Sequence, residues 1–248
     1  MLPIVSFQDV SLSYHSIGGE TKAVSGLSFS VDSGEFFSIV GPSGCGKSSI
    51  LSMMAGLFPP SFGSIAVNGN IGYMLQKDHL LEWRTIRSNA LLGLEIQGKS
   101  TVENRAYVEQ LLDQYGLKDF KEHFPSQLSG GMRQRVALIR TLAVRPDVLL
   151  LDEPFSALDY QTRLSVGDEI GTILRKEGKT AILVTHDISE AISLSDRVMV
   201  LTGRPARLKK IHKISLSVEE KTPMKAREAP EFRAYFNTIW KELNVHVA

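Results

Sequence analysis

The sequence predicts an α/β protein built on a mostly parallel sheet. Two apolar runs, Val148-Leu149-Leu150-Leu151 and Ala181-Ile182-Leu183-Val184, have strand length and are separated by sequence of helical periodicity. Strands that are apolar at every position are buried on both faces, as between two layers of helices. A third run, Phe36-Phe37-Ser38-Ile39-Val40, ends in a glycine-rich turn, and helix-forming sequence follows over residues 47–56.

Each segment then takes its place in order. The first third reads as short strands over residues 4–14, 23–31, 35–40 and 64–67, rich in Val, Ile, Phe and Ser. Polar breaks stand between them at Gly18-Gly19, Asp32-Ser33-Gly34 and Asn68-Gly69. The middle is mainly helical: residues 85–97, 102–115 and 132–144 carry apolar residues at helical spacing. Strand 148–151, helix 160–176 and strand 181–184 complete the alternation. The charged stretch 219–227 reads as a surface linker before a final helix near residues 230–243. Repeats and low-complexity tracts are absent from the sequence.

Composition bounds the function. The chain has 248 residues, 43% hydrophobic and 22% charged, the balance of a soluble globular protein. A formal net charge of +1 gives no bulk attraction to nucleic acid, and no nucleic-acid partner is expected. The single cysteine, Cys45, excludes an internal disulfide and fits a reducing compartment. The first residues do not read as a secretory signal, and no apolar stretch reaches the roughly 18 residues that span a bilayer. Work on a membrane would require docking onto a partner already inserted there.

Gly41-Pro42-Ser43-Gly44-Cys45-Gly46-Lys47-Ser48 matches the phosphate-binding pattern G-x-x-x-x-G-K-[ST] without gaps. Glycines let backbone N–H groups approach phosphates with no Cβ in the way. The helix that follows points its positive end at the same anion. Lys47 supplies a mobile charge for the β- and γ-phosphates, and the Ser48 hydroxyl is a hard oxygen ligand for Mg²⁺. Position between a strand and a helix sets this match apart from a chance glycine-rich loop, although the loop alone does not say which nucleotide.

The strand 148–151 ends in Asp152 and Glu153. A parallel strand delivers its last residues to the ligand edge of the sheet. There Asp152 can hold Mg²⁺ and Glu153 can polarise an attacking water as general base. Strands often end in ordinary solvated acids, so it is the pairing with the phosphate loop that favours the functional reading.

Leu128-Ser129-Gly130-Gly131-Met132 separates this chain from other phosphate-loop proteins. It resembles the LSGGQ signature of the ATP-binding-cassette family. Ser129 is a good N-cap for a helix beginning near Met132, and with the amides of Gly130 and Gly131 it makes a second anion-binding helix start. In isolation the segment would pass for a plain capped helix. The other markers of the family follow in order over roughly residues 4–202. Tyr14 resembles the aromatic that stacks on adenine. Gln76, after Ile71-Gly72-Tyr73-Met74-Leu75, resembles the glutamine that reaches Mg²⁺ and the attacking water. Ser156-Ala157-Leu158-Asp159 resembles the loop that crosses the dimer interface, and His186 the histidine that contacts the γ-phosphate. Ser49 is counted with the loop residues on the nucleotide. One position departs from the pattern: Met132 stands where a glutamine is usual, which leaves open any polar contact that glutamine makes.

The resemblance implies a P-loop NTPase core with an antiparallel β subdomain near the N-terminus and an inserted helical subdomain at about 77–145. The ATPase domain would cover 1–205, with an extension at 206–248 packed on it. It implies ATP hydrolysis with Mg²⁺ in a head-to-tail dimer, in which Ser129, Gly130, Gly131 and Asp159 of one subunit reach the nucleotide of the other. Lys77-Asp78-His79-Leu80-Leu81-Glu82-Trp83-Arg84-Thr85-Ile86 resembles importer ATPases of the nitrate, sulfonate and taurine branch, as do Arg204-Pro205-Ala206 and the tail 228–240. Such a subunit would sit on the cytoplasmic face of the inner membrane, docked on transmembrane permease subunits that a substrate-binding protein feeds. Trp83 is alternatively a packing residue. Rival readings are a soluble mechanical ATPase of the same superfamily, or a P-loop kinase or GTPase. About a hundred residues lie between Lys47 and Asp152, with no heptad tract, and the signature and His186 stand against a kinase or GTPase. The position of Cys45 beside Lys47 and a helix start leads us to expect a low-pKa thiol that alkylating agents reach and Mg-ATP protects; a small buried loop filler is the alternative.

Overall fold

The computed structural model describes residues 3–16, 18–156, 158–218 and 222–244. Its strands are β1 (Val5–Ser16), β2 (Gly19–Val31), β3 (Phe36–Val40), β4 (Phe62–Val67), β5 (Ile71–Met74), β6 (Val148–Asp152), β7 (Thr180–Val184), β8 (Arg197–Leu201) and β9 (Leu208–Lys213). Its helices are α1 (Lys47–Met54), α2 (Ile86–Ile96), α3 (Val102–Gln114), α4 (Gly130–Leu142), α5 (Tyr160–Lys176), α6 (Ile188–Leu194), α7 (Pro223–Glu228) and α8 (Phe232–Asn244). The chain divides into two compact units, one of Met1–Gly69 with Gly167–Ala248, the other of Asn70–Val166.

In the first unit, β2, β1 and β4 form an antiparallel sheet with β1 in the middle. Phe29 of β2 stacks on Phe7 of β1 at 4.6 Å and on Phe37 of β3 at 5.6 Å, which seats this sheet on the strand that leads into the phosphate loop. β3 pairs in parallel with β7 on one side and β8 on the other. Every residue of β3 and β7 is buried, as their largely apolar sequences require, the buried polar exceptions being Ser38 and Thr180. β9 adds antiparallel to β8. α6 and α8 close one core: Ile188, Ala191 and Ile192 of α6 meet Val198 and Val200 of β8, Val40 of β3, and Ile239 of α8. α8 is also held by polar contacts, the His212 Nε2 lying 2.7 Å from Glu242 Oε2.

The stretch expected to be a linker is a correction. Residues 219–221 lie outside the described residues, but α7 follows, capped by the Thr222 hydroxyl, which accepts from Lys225 N at 3.3 Å. Pro223 and Ala226 are buried. Two small apolar residues among charges give too weak a periodicity to reveal the helix in the sequence.

In the second unit, β5 and β6 run parallel in the register Ile71↔Val148 to Met74↔Leu151. α2, α3 and α4 pack together beside them. Thr85, Thr101 and Ser129 cap these helices, each accepting the amide three residues on, as the side chains of N-caps do. Among the described residues no helix is long and apolar enough to cross a membrane.

Candidate active site

The phosphate loop connects β3 to α1. Its last glycine, Gly46, has φ 125° and is the N-cap of α1. A Cβ there would come within 2.9 Å of the Ala23 carbonyl, so only glycine lets the loop lie so close to β2. This cap has no side chain to accept the first amides of the helix, and the positive end of α1 stays available to an anion. Lys47 is 6% exposed, with its ammonium donating to the carbonyls of Gly41 at 2.9 Å and Pro42 at 3.1 Å. Among the described residues no carboxylate pairs with it. A buried ammonium held only by neutral carbonyls, next to a free helix start, suits the phosphates of a nucleotide.

Other predicted site residues of this unit gather round the loop. The Tyr14 hydroxyl lies 3.0 Å from Ser49 Oγ, and its ring meets Phe58 edge-on with centroids 6.0 Å apart. Tyr14 is 44% exposed, so a face of its ring is open to solvent as stacking on a base requires. Ser43, Gly44 and Ser48 are exposed and Pro42 is half-buried. His186 follows β7, whose register with β3 pairs Val184 with Ile39 and so sets His186 level with Gly41. It is exposed, at a turn fixed on both sides. Thr185 Oγ1 donates to Glu190 Oε2 at 2.6 Å and accepts Asp187 N at 3.0 Å, and Asp187 caps α6.

Cys45 is a correction. It is 1% exposed, packed so tightly that a Cβ on Gly41 would lie 2.9 Å from its sulfur. Burial pushes the thiol above its ordinary range, and the opposing pull of Lys47 is smaller. The expected reactive thiolate is therefore replaced by a buried neutral filler; closeness to a cation does not offset loss of solvent.

In the second unit the acidic pair closes β6. Asp152 is buried, and Glu153 begins the following turn with φ 46°, the left-handed region. Gln76 Nε2 donates to Glu153 Oε2 at 3.1 Å. Ser129 Oγ accepts Met132 N at 3.3 Å, so the capping role holds, with the helix starting two residues earlier than expected. Met132 contributes its amide here, and that contact does not depend on the side chain that departs from the family pattern. Gly131 sits where a Cβ would be 2.8 Å from Thr162 Cγ2 and 3.7 Å from Leu158, so the signature lies against the start of α5. Asp159 caps that helix, accepting Thr162 N at 3.0 Å, and this hydrogen bonding holds its carboxyl below the usual range. Ala157, in the same predicted loop, lies outside the described residues.

Gln134 was not singled out by sequence reasoning. It is buried on α4, and its Nε2 reaches the Gln76 carbonyl at 3.4 Å. The available signal was a polar residue four positions before buried Leu138, hence on the apolar face. Trp83, by contrast, is 75% exposed and is no packing residue of this chain.

A family model described as ABC transporter matches residues 24–156. The chain belongs to the ABC transporter family. Among its relatives, the ABC transporter ATP-binding protein YtlC of Bacillus subtilis is 47% identical over 95% of this cassette and 94% of its own length. The taurine import ATP-binding protein TauB of Jannaschia sp. is 40% identical over 82% of this cassette and 78% of its own length. In three dimensions the cassette is similar to MJ0796, solved as a dimeric ATP-binding cassette in a post-hydrolysis state with ADP and Pi. There the TM-score is 0.75 at 29% identity, covering 85% of this chain and 99% of that one. The cassette is an ATP hydrolase, and its relatives include taurine and nitrate import ATP-binding proteins.

Proposed function

We propose that this cassette energises the import of a small organic or inorganic anion of the nitrate, sulfonate or taurine kind. It works as a head-to-tail pair with a second copy or a homologous subunit. The pair docks on permease subunits at the cytoplasmic face of the inner membrane, and a substrate-binding protein feeds those permease subunits. The taurine import role of the relative TauB supports the substrate class. The dimeric form of MJ0796 supports the pairing.

The observation that carries the docking is the hydrogen bond from Gln76 to Glu153. Gln76 opens a stretch without regular structure that leads to exposed Trp83, and α4 ties that stretch down. Arg133 donates to Asp78 at 3.1 Å and Arg140 to the His79 carbonyl at 2.8 Å. The Asn89 amide accepts Leu81 N at 2.8 Å and donates to the carbonyls of Leu81, Arg84 and Thr85. A partner pressing on Trp83 thus acts on a segment joined to the proposed base.

The residues take these roles in the reading. Gly41 to Ser49 and Lys47 bind the phosphates, and Tyr14 stacks on the base. Ser48, Gln76 and Asp152 offer hydroxyl, amide and carboxylate oxygens, a donor set suited to Mg²⁺, which supplies charge neutralisation when bound. Glu153 takes a proton from the attacking water, and His186 donates toward the γ-phosphate. Ser129, Gly130, Gly131 and Asp159 serve the nucleotide of the partner cassette.

The test is Trp83→Ala in a pull-down with the co-expressed permease. Arg84 is left intact because it already pairs with Glu95 at 2.6 Å. Assembly should fall while hydrolysis by the free cassette stays near wild type. Equal assembly would count against the docking surface.

A further inference from the structure

The Arg204-Pro205-Ala206 segment has no part in the reading above, yet it stands against the phosphate loop. Arg204 donates to the Gly44 carbonyl through both Nε, at 3.1 Å, and Nη2, at 2.7 Å. Gly44 is the third residue of a turn closed by Cys45 N donating to the Pro42 carbonyl at 3.2 Å, and its φ of 68° is left-handed. In a trans peptide the C=O and the next N–H point in opposite directions. A guanidinium holding the Gly44 carbonyl outward therefore holds the Cys45 N–H inward, on the Pro42 carbonyl that also receives Lys47.

The segment bearing Arg204 is itself braced. Thr202 Oγ1 donates within its own loop and accepts Arg207 N at 3.0 Å. Ala206 N donates to the Ala23 carbonyl at 2.8 Å, and Ser25 N to the Ala206 carbonyl at 3.0 Å. This is the stretch of β2 on which Gly46 rests. The phosphate loop is thus seated on β2 from below and gripped by Arg204 from the side, with both supports joined through Ala206.

We propose that Arg204 is a positioning residue for nucleotide binding, fixing the Gly44–Cys45 peptide of the phosphate loop and adding a second cation beside Lys47. Its charge acts at the loop, since it is among the influences on the Cys45 thiol. The inference rests on the reading of Gly41 to Ser49 as the nucleotide cradle. A loop held before the ligand arrives loses less freedom on binding, so the benefit falls on affinity.

The full-length chain is compared with Arg204→Ala, Arg204→Lys and Lys47→Ala, measuring Kd for Mg-ATP by calorimetry together with KM, kcat and Tm. Arg204→Ala should raise Kd and KM about fivefold, with kcat within about twofold, as loss of a charge-assisted pair at an exposed site implies. Arg204→Lys, which keeps the charge but loses the two-pronged guanidinium, should recover part of the loss. A merely structural role would lower Tm and leave KM in place. Wild-type Kd and KM in Arg204→Ala, or a fall in kcat at constant KM, would overturn the proposal. Should the alanine variant fail to fold, Arg204→Gln decides: it keeps a donor without charge, and a raised KM supports the proposal while a wild-type KM overturns it. Wild-type binding by Lys47→Ala would sink the cradle reading itself. Wild-type binding by the Arg204 variants alone sinks only this inference.

Discussion

The Gln76 carboxamide meets the Glu153 carboxylate at 3.1 Å because two parallel strands set them level. β5 and β6 pair Met74 with Leu151, so two residues further on Gln76 faces Glu153. Glu153 then turns at φ 46°, a conformation that costs a residue with a Cβ about 1–2 kcal/mol. Asp152, the residue before this turn, is buried and is the last of β6.

If Glu153 is the base, Glu153→Gln keeps the size and the contact to Gln76 but cannot accept a proton. Turnover should fall by about 10²–10⁴ while ATP still binds. With hydrolysis blocked, the ATP-bound pair should accumulate, which gel filtration with Mg-ATP reads as a shift from monomer to dimer. Normal hydrolysis by a monomeric Glu153→Gln would rule out this role.

What the sequence disclosed and what it hid divide along one physical line. β3, the phosphate loop and α1 are contiguous, and the glycines, lysine and apolar strand announce one another within a few residues. β6 and β7 declare themselves because burial on both faces leaves four consecutive apolar residues in each, 148–151 and 181–184. Gln134 and Arg204 were not legible, because their partners are backbone carbonyls 58 and 160 positions away. β9, with its run Leu208-Lys209-Lys210-Ile211-His212-Lys213, hides behind the charge of a strand with one solvated side. The seven-residue α6 is too short for periodicity to register. Cys45 was misjudged for a different reason: position showed the cation beside it and concealed the burial.

α8 completes the core of its unit, so its removal should be costly. Ile239 is fully buried among Ile188, Ile192, Val198 and Val200. Ile239→Ala should cost about 2–4 kcal/mol, the range for opening a cavity in a packed core. Urea unfolding should show an earlier midpoint with a similar slope. A change below about 0.5 kcal/mol, the usual size for surface sites, would mean that α8 is not part of the cooperative core.

The Cys45 thiol gives a test of the loop that needs no nucleotide. Burial raises its pKa above the ordinary 9.0, and Lys47 only partly opposes this. The thiol is neutral in the folded chain at a pH where the unfolded chain has already ionised. Its contribution to stability is therefore complete below the unfolded pKa and is lost as pH rises through about 9 toward the folded value. Between about pH 8 and 10, the wild type should lose stability faster than Cys45→Ala, which has nothing to titrate. Urea midpoints of the two proteins across that range measure the difference. Labelling follows the same logic. A sulfur 1% exposed reacts only when the loop opens, so maleimide should modify the native chain far more slowly than the urea-unfolded one. Mg-ATP should slow it further by favouring the closed loop. Rapid labelling of the native chain, or a wild type that gains stability over Cys45→Ala as pH rises, would show that the sulfur is solvated and that the loop does not close over it.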